Sequence, residues 1–522
     1  MERQTNKGTL SADDIGSLLL LASILLGAWF RIFPPLEAGF PINDGGLFYA
    51  MIEALQNNGF RIPQFVEYNG LQIPFAYPPL GFYIAAGVGT VFGIDIFTIL
   101  RWMPAIVLIG TIPAMYALSK AMLNSNMEAG LAAFIYALLP RSITWLIMGG
   151  GITRSLGQLF LILATLNLYR MYAEGKRKFA IGAVIFCSLV VVTHPEATIH
   201  TIGIAIALAL LHARNRRGFL QTGLVGAGAL AVTSPWWASM LVRHGLAPFV
   251  SASQSGFHDF KYFYAFFIDY TQETFIPLIA VFAWIGVLYF VSKREYTLPL
   301  LFALPFLIEP RNAPNVGMIT IPMLASHAIF QVLLPALRGS QTKDQKISSL
   351  IGNTSQKLCI AVVTFCLFVG MQIFGMEMSA KRIHPETRLA FDWVKAHTPP
   401  SSRFVILSGN SKPLEDFNNE WFPILTDRVS LTTLQGLEWD NSIDFNEHTM
   451  WLSNAQNCRF SFDAPACLRA LGLSGQLQFD YLIILRATID PPLYLADLPS
   501  WANVEGRSLV YESSEIFILR FP

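Results

Sequence analysis

The sequence predicts an all-α polytopic membrane domain followed by a small α+β domain, and three observations carry that reading. Of 522 residues, 53% are hydrophobic and only 14% are charged, and the mean hydropathy is +0.46, which is foreign to soluble domains. Apolar runs long enough to cross a bilayer core of about 30 Å recur through the first 379 residues. Beyond them the chain turns polar, with β-like runs at 403–407, 480–485 and 508–520 between Pro, Gly, Asn and Asp turns. The charge balance, 36 Lys+Arg against 35 Asp+Glu, offers no basic surplus for a nucleic-acid partner. High apolar content and only five cysteines exclude disordered and disulfide-scaffold classes.

About eleven spans of roughly 20 residues are expected. They lie near 15–34, 99–120, 128–147, 154–173, 178–194, 196–212, 218–242, 273–292, 297–309, 317–337 and 356–378. The first follows Arg3 and Lys7 without a small-residue cleavage site, so it reads as an uncleaved signal anchor. A further apolar stretch, 77–93, opens with Pro78 and Pro79 and contains Gly81, Gly87, Gly89 and Gly93. Were it to cross, the basic stretches EGKRK (174–178) and ARNRR (213–217), with Lys343 and Lys346, would face outward, against the positive-inside bias. It is therefore read as a re-entrant or interface-lying helix. That choice gives a cytoplasmic N-terminus, a membrane domain over 1–379 with a large first outer loop at 35–98, and an extracytoplasmic domain over 380–522. An outer location is compatible with a disulfide between Cys458 and Cys467, two unpaired thiols being the other reading.

Ionisable residues are rare at the expected mid-depth, where each costs about 2.5–3.5 kcal/mol. They collect instead at the outer ends of the spans: Asp44, Glu53, Glu67, Arg101, Arg141, Arg154, His194, Glu196, Asp269, Glu273, Glu309 and Arg311. A secondary transporter places its coupling charges near the midplane, so this pattern favours chemistry at the outer leaflet. Asp44 stands out, in PINDGGLFYAMIEAL after the first span. Two readings of it stand: an N-cap for the helix starting near Leu47, or a general base that takes a proton from an acceptor hydroxyl.

An acid after the first span, a short amphipathic helix, the segment YPPLGFY and an Arg-led next span together resemble the GT-C glycosyltransferases. YPPLGFY is similar to the Pro-Pro-Leu of protein O-mannosyltransferase and aminoarabinose transferase relatives. GLAAFIYALLPRSITWLIMGGGITRSL resembles, more faintly, the third span and second outer loop of oligosaccharyltransferase catalytic subunits. The resemblance implies inverting transfer of a sugar from a polyprenyl-phosphate-linked donor to a glycan, lipid or protein acceptor on the outer face. It makes Asp44 the base, with Arg311, then Arg154 or Arg101, as donor-phosphate ligands; interfacial arginines that snorkel to headgroups are the plainer reading of all three. The polar tail is similar to those of bacterial GT-C-like proteins, which implies a multi-pass protein of a bacterial plasma membrane.

The chain also departs from that pattern. Asn43 precedes Asp44 where O-mannosyltransferases have paired acids, and GGGITRSL lacks the second-loop Asp-x-Glu that binds a divalent metal such as Mg or Mn in oligosaccharyltransferases. His194 and Glu196, around the helix-breaking Pro195, are the remaining metal or acceptor ligands, or else a polar turn capping the next span. In the tail, Trp421, Glu438 and Trp439 suit either stacking on a sugar or packing onto the membrane part. The competing function is a non-enzymatic transporter or binder of glycolipid or polysaccharide.

Overall fold

A computed structural model describes residues 11–213, 215–255, 266–267, 269–338, 353–440, 443–461, 463–471, 478–487, 494–495 and 507–521. Arg214, Lys343 and Lys346 lie outside the described residues.

The membrane part begins with α1 (Ala12–Ala38), whose first amides are satisfied by a Ser11–Asp14 capping box and whose end is turned by Gly39 in the left-handed region. The first loop holds α2 (Gly46–Asn57), a hairpin of β1 (Phe65–Tyr68) and β2 (Leu71–Pro74), and α3 (Leu80–Phe92). Helices α4 (Ile96–Leu123), α5 (Asn126–Leu138), α6 (Gly151–Glu174), α7 (Arg177–Val191), α8 (Pro195–His212) and α9 (Arg216–His244) follow. Then come α10 (Ala247–Gln254), α11 (Leu278–Ser292), α12 (Thr297–Ile308), α13 (Ala313–Gly317) and α14 (Ile321–Ala328). A π-helical turn, Ile329–Leu333, joins α14 to α15 (Leu334–Arg338), and α16 (Thr354–Ala380) completes the membrane part.

Among the described residues, six helices are long and apolar enough to cross a membrane: α1, α4, α6, α8, α9 and α16. The other expected spans are shorter. The run at 128–147 is helical only to Leu138, because Pro140 cannot donate and pushes Leu139 to an extended conformation. Arg31, buried in α1, donates to the carbonyls of Gly27 and Ala137 and to Ser142 Oγ, and so satisfies the end of α5. The stretch at 77–93 becomes the 13-residue α3, about 20 Å long and short of a bilayer core. Its close fit depends on Gly81, where a Cβ would lie 2.9 Å from the Ile152 carbonyl at the start of α6.

The tail comprises α17 (Pro385–His397), β3 (Arg403–Leu407), α18 (Phe417–Thr426), β4 (Val429–Ser430), α19 (Phe445–Asn457), α20 (Ala464–Ala470), β5 (Tyr481–Leu485), β6 (Ser508–Glu512) and β7 (Ile516–Arg520). The strands form one sheet in the order β4-β3-β5-β7-β6, parallel on one side of β5 and antiparallel on the other. Alternate residues enter two cores, so the strands read as nearly unbroken apolar runs. Val405, Leu482 and Phe517 face α19 and α20, whereas Phe404, Ile406 and Ile483 share a core with α2, α3 and α18 through Met51, Phe82 and Trp421. The first loop and the tail are therefore packed as one body.

The helices separate two polar ends. Asp44 follows α1 and Arg154 lies in the first turn of α6, whereas Asp13, Lys120, Arg170 and Glu174, at the opposite ends of α1, α4 and α6, line a cleft of about 570 Å³. Along α6, Arg154 to Glu174 spans about 30 Å at 1.5 Å per residue, the thickness of a bilayer core.

Cys458 and Cys467, nine residues apart, form a disulfide beside α20. Closing so short a loop stabilises a fold by about 2–3 kcal/mol. Replacing both cysteines by serine is expected to lower the midpoint of tail unfolding, and reductant should lower the wild type's but not the variant's, as followed by differential scanning fluorimetry.

Candidate active site

Three consecutive glycines open the site. Gly149, Gly150 and Gly151 lead into α6, and the strand of chain from Ile42 to Gly45 lies directly against them: Gly149 donates to the Ile42 carbonyl at 2.9 Å. A Cβ at Gly149 would stand 2.0 Å from the Asp44 carbonyl oxygen, and one at Gly150 would stand 2.8 Å from Asp44 Oδ2. Only a backbone without side chains lets the carboxylate reach this helix N-terminus. Asp44 Oδ1 accepts the Gly150 N–H at 2.8 Å, and Oδ2 pairs with Arg154 Nη1 at 2.7 Å. The α6 dipole and the guanidinium thus act on one carboxylate.

The cap reading of Asp44 for α2 needs correction. The N-cap of α2 is Gly45, at φ 131°, with no side-chain bond from its own turn. The opening amides, Gly45 N–H and Gly46 N–H, instead donate to Oε1 of Glu420 at 2.7 and 2.9 Å. Glu420 is the functional-site neighbour that sequence reasoning passed over. It stands next to Trp421, but nothing in its spacing relates it to a helix 375 residues away.

The other expected residues divide. Arg154 joins Asp44; its side chain keeps 24% exposure and lies over the Trp145 ring, 5.7 Å from the centroid. Arg311 pairs with Glu196 and donates to the Ser255 carbonyl at 3.3 Å. Glu196 and Arg154 both act on the half-buried Tyr77 phenol, as does Asp44, so the two ion pairs form one electrostatic cluster around YPPLGFY. Tyr77 OH lies 3.4 Å from Thr153 Oγ1. His194 is the N-cap of α8, its Nδ1 accepting the Ala197 N–H at 3.3 Å, which is the capping role. Arg101 goes elsewhere, donating to the carbonyls of Pro35 and Leu36 at 2.6 and 3.1 Å, where it satisfies the end of α1.

Of the tail residues, Trp421 is fully buried, its indole N–H donating to the Asn43 carbonyl at 2.8 Å and its ring edge-on to Phe40. It has no face for a sugar; it packs the tail onto the first loop. Trp439 is also buried, at 8% exposure, and meets the Tyr77 ring edge-to-face at 6.0 Å between centroids. Glu438 accepts the Gly436 N–H at 2.7 Å. Among the described residues no group of three His, Cys, Asp or Glu side chains stands together to hold a metal, so the residues present do not fit the divalent site of the oligosaccharyltransferase pattern.

Among solved structures the chain is similar to the arabinofuranosyltransferase AftD from Mycobacteria, with 14% identity and a TM-score of 0.54 over 98% of this chain and 40% of that one. It is similar also to ArnT from Cupriavidus metallidurans bound to undecaprenyl phosphate, with 11% identity and a TM-score of 0.52 over 96% of this chain and 97% of that one. The chain has the GT-C fold. The apo form of the same ArnT matches at a TM-score of 0.54. The chain therefore spans well under half of AftD but nearly the whole length of ArnT. No family model and no curated protein matches it. In this chain Asp44 and YPPLGFY lie between α1 and α4.

The packed tail also perturbs its own acids. Burial, then the charge of Asp44, holds the Glu420 carboxyl well above the usual carboxylate range, against the pull of the Gly45 and Gly46 amides. Burial likewise raises Asp416 and Glu438.

Two outcomes follow for stability. Gly149→Ala should cost about 1–3 kcal/mol by forcing α6 from Asp44, whereas Gly87→Ala, with open space around it, should be neutral or slightly stabilising in thermal unfolding. Glu420, raised in the fold, keeps a proton that the unfolded chain loses above about pH 4.3, so its contribution falls as pH rises from there. Glu420→Gln does not titrate; its midpoint relative to wild type should rise as pH climbs above about 4.3 and level off once the folded-state carboxyl ionises.

Proposed function

We infer that the chain is a membrane glycosyltransferase that moves a sugar from a polyprenyl-phosphate-linked donor to a glycan, lipid or protein acceptor at the outer face of a bacterial plasma membrane. The observation that carries the reading is the Asp44–Arg154 pair, a carboxylate set by three glycines against a helix N-terminus, within a fold shared with glycosyltransferases. One of those neighbours holds undecaprenyl phosphate.

In this reading Asp44 takes the proton of the acceptor hydroxyl, whose oxygen forms a bond to the anomeric carbon as the bond from that carbon to the donor phosphate oxygen breaks. The electron pair leaves with the phosphate. Attack from the opposite face inverts the centre. Arg311, with 34% of its side chain exposed beside Glu196, is the residue assigned to the developing phosphate charge, and Arg154 adds a second positive charge to the same cluster. Glu196 holds Arg311 in place rather than binding a metal, and Arg101 has no part. Glu438, half-buried, is the tail residue assigned to the sugar, with Trp439 next to it packed against Tyr77. The positive-inside bias supports a cytoplasmic N-terminus and an outer tail.

Asp44→Asn keeps the size and one acceptor oxygen but removes the base. In vesicles given a panel of labelled polyprenyl-phosphate sugars and native acceptors, it should lower transfer about 10²- to 10⁴-fold while donor binding persists. Equal transfer by wild type and variant would remove Asp44 from the mechanism. Donor binding without transfer by either would favour the transporter or binder reading.

A further inference from the structure

The turn that carries Asp44 is closed by a helix from the other end of the sequence. Glu420 Oε1 takes both opening amides of α2, and the Glu420 carbonyl accepts the Tyr68 hydroxyl at 2.6 Å. The next residue, Trp421, donates to the carbonyl of Asn43, immediately before Asp44. Contact is tight enough that a Cβ at Gly46 would stand 2.6 Å from the Glu420 carbonyl oxygen, and one at Gly45 would stand 3.0 Å from the Trp421 ring. Asp44 is therefore bracketed, with Trp421 holding the residue before it and Glu420 the two after it.

None of this serves α18 itself. That helix is capped by Asp416, which accepts from Asn419 N–H, and Glu420 turns its carboxylate out of its own helix toward the first loop. It is 3% exposed, and a buried carboxyl with no local duty is costly unless its partners justify it.

Building on the reading of Asp44 as the base, we propose that Glu420 is a positioning residue: by accepting the two amides that open α2, it fixes the direction in which Asp44 is presented to the acceptor. The groups facing it are Asp44 on the turn after α1, Arg154 on α6 and Tyr68 on β1, with Glu438 acting on that same tyrosine. Burial and the Asp44 charge favour its neutral form, so it holds the turn without setting a second negative charge beside the base. Ionisation on raising the pH would add that charge. A glutamine side chain offers the same carbonyl acceptor and never ionises, which separates positioning from proton transfer.

The test uses the full chain in lipid nanodiscs. Hydrogen exchange over residues 42–50 reports the contact directly, and steady-state transfer reports its consequence. Glu420→Ala is expected to speed exchange at Gly45 and Gly46 about tenfold and to lower kcat about 10²-fold with little change in donor KM. Glu420→Gln is expected to restore both and to hold its activity as pH is raised through the range where the wild type declines. Glu420→Asp, which withdraws the acceptor by one methylene, should behave like the alanine variant and guards against a misfolded truncation. The proposal is overturned if exchange at Gly45 and Gly46 is unchanged in Glu420→Ala. It is equally overturned if Glu420→Gln restores exchange yet stays as inactive as Glu420→Ala, which would make the ionisable acid itself necessary. Failure of the base reading looks different: Asp44→Asn would then transfer like wild type, while the exchange data would still report on the Glu420 contact.

Discussion

One carboxylate meets one helix end, and the surrounding architecture is arranged to permit it. Asp44 can reach the first turn of α6 only because Gly149 and Gly150 offer no side chains to the chain passing over them. That approach brings the carboxylate within ion-pair distance of Arg154. The break in the helical run after Leu138 matters for the same reason, since it frees the chain at Pro140 to double back and start α6 beneath the loop. Arg31 satisfies the carbonyl end left by that break, so a buried charge in α1 supports the site without entering it. A buried guanidinium is tolerable there because carbonyls and a hydroxyl surround it.

Much of the fold was legible because its physics is periodic. Apolar runs and a polar tail with short β runs mark the two kinds of structure: strands at 403–407 and 481–485 fall where expected, while the single run expected at 508–520 turns back on itself as the antiparallel pair 508–512 and 516–520. Span length was less legible. Hydropathy does not distinguish a long helix from a short one continued by a proline-broken turn, and within 128–147 the helix gives way after Leu138 to the tight turn Pro140–Ser142. A similar limit applies at 77–93, where composition indicates an apolar helix and only geometry gives its 13-residue length.

The site divides along the same line. Asp44 and Arg154 were legible because each sits in an unusual local stretch, NDGG and GGGITR, and the residue order resembled a known pattern. Arg101, His194 and Trp421 were misassigned or left open for one reason: a polar or aromatic side chain near a helix end serves structure as readily as chemistry. Arg101 satisfies carbonyls of α1, His194 caps α8, and Trp421 is buried between loop and tail. Glu420 could not be found by spacing at all, since its partners are brought to it only by tertiary folding.

The long-range bond between Glu420 and the start of α2 has a consequence for how the protein is made. The two partners are 375 residues apart, so a ribosome emits Asp44, Arg154 and every described membrane helix before the residue that closes the turn exists. Domains form as they emerge, and contacts of such sequence separation form late because loop closure must precede them. Assembly of the Asp44 turn is thereby deferred until the tail has been synthesised and folded back onto the first loop. A chain arrested before residue 420 would carry the whole helical bundle and still lack the carboxylate that closes its first loop.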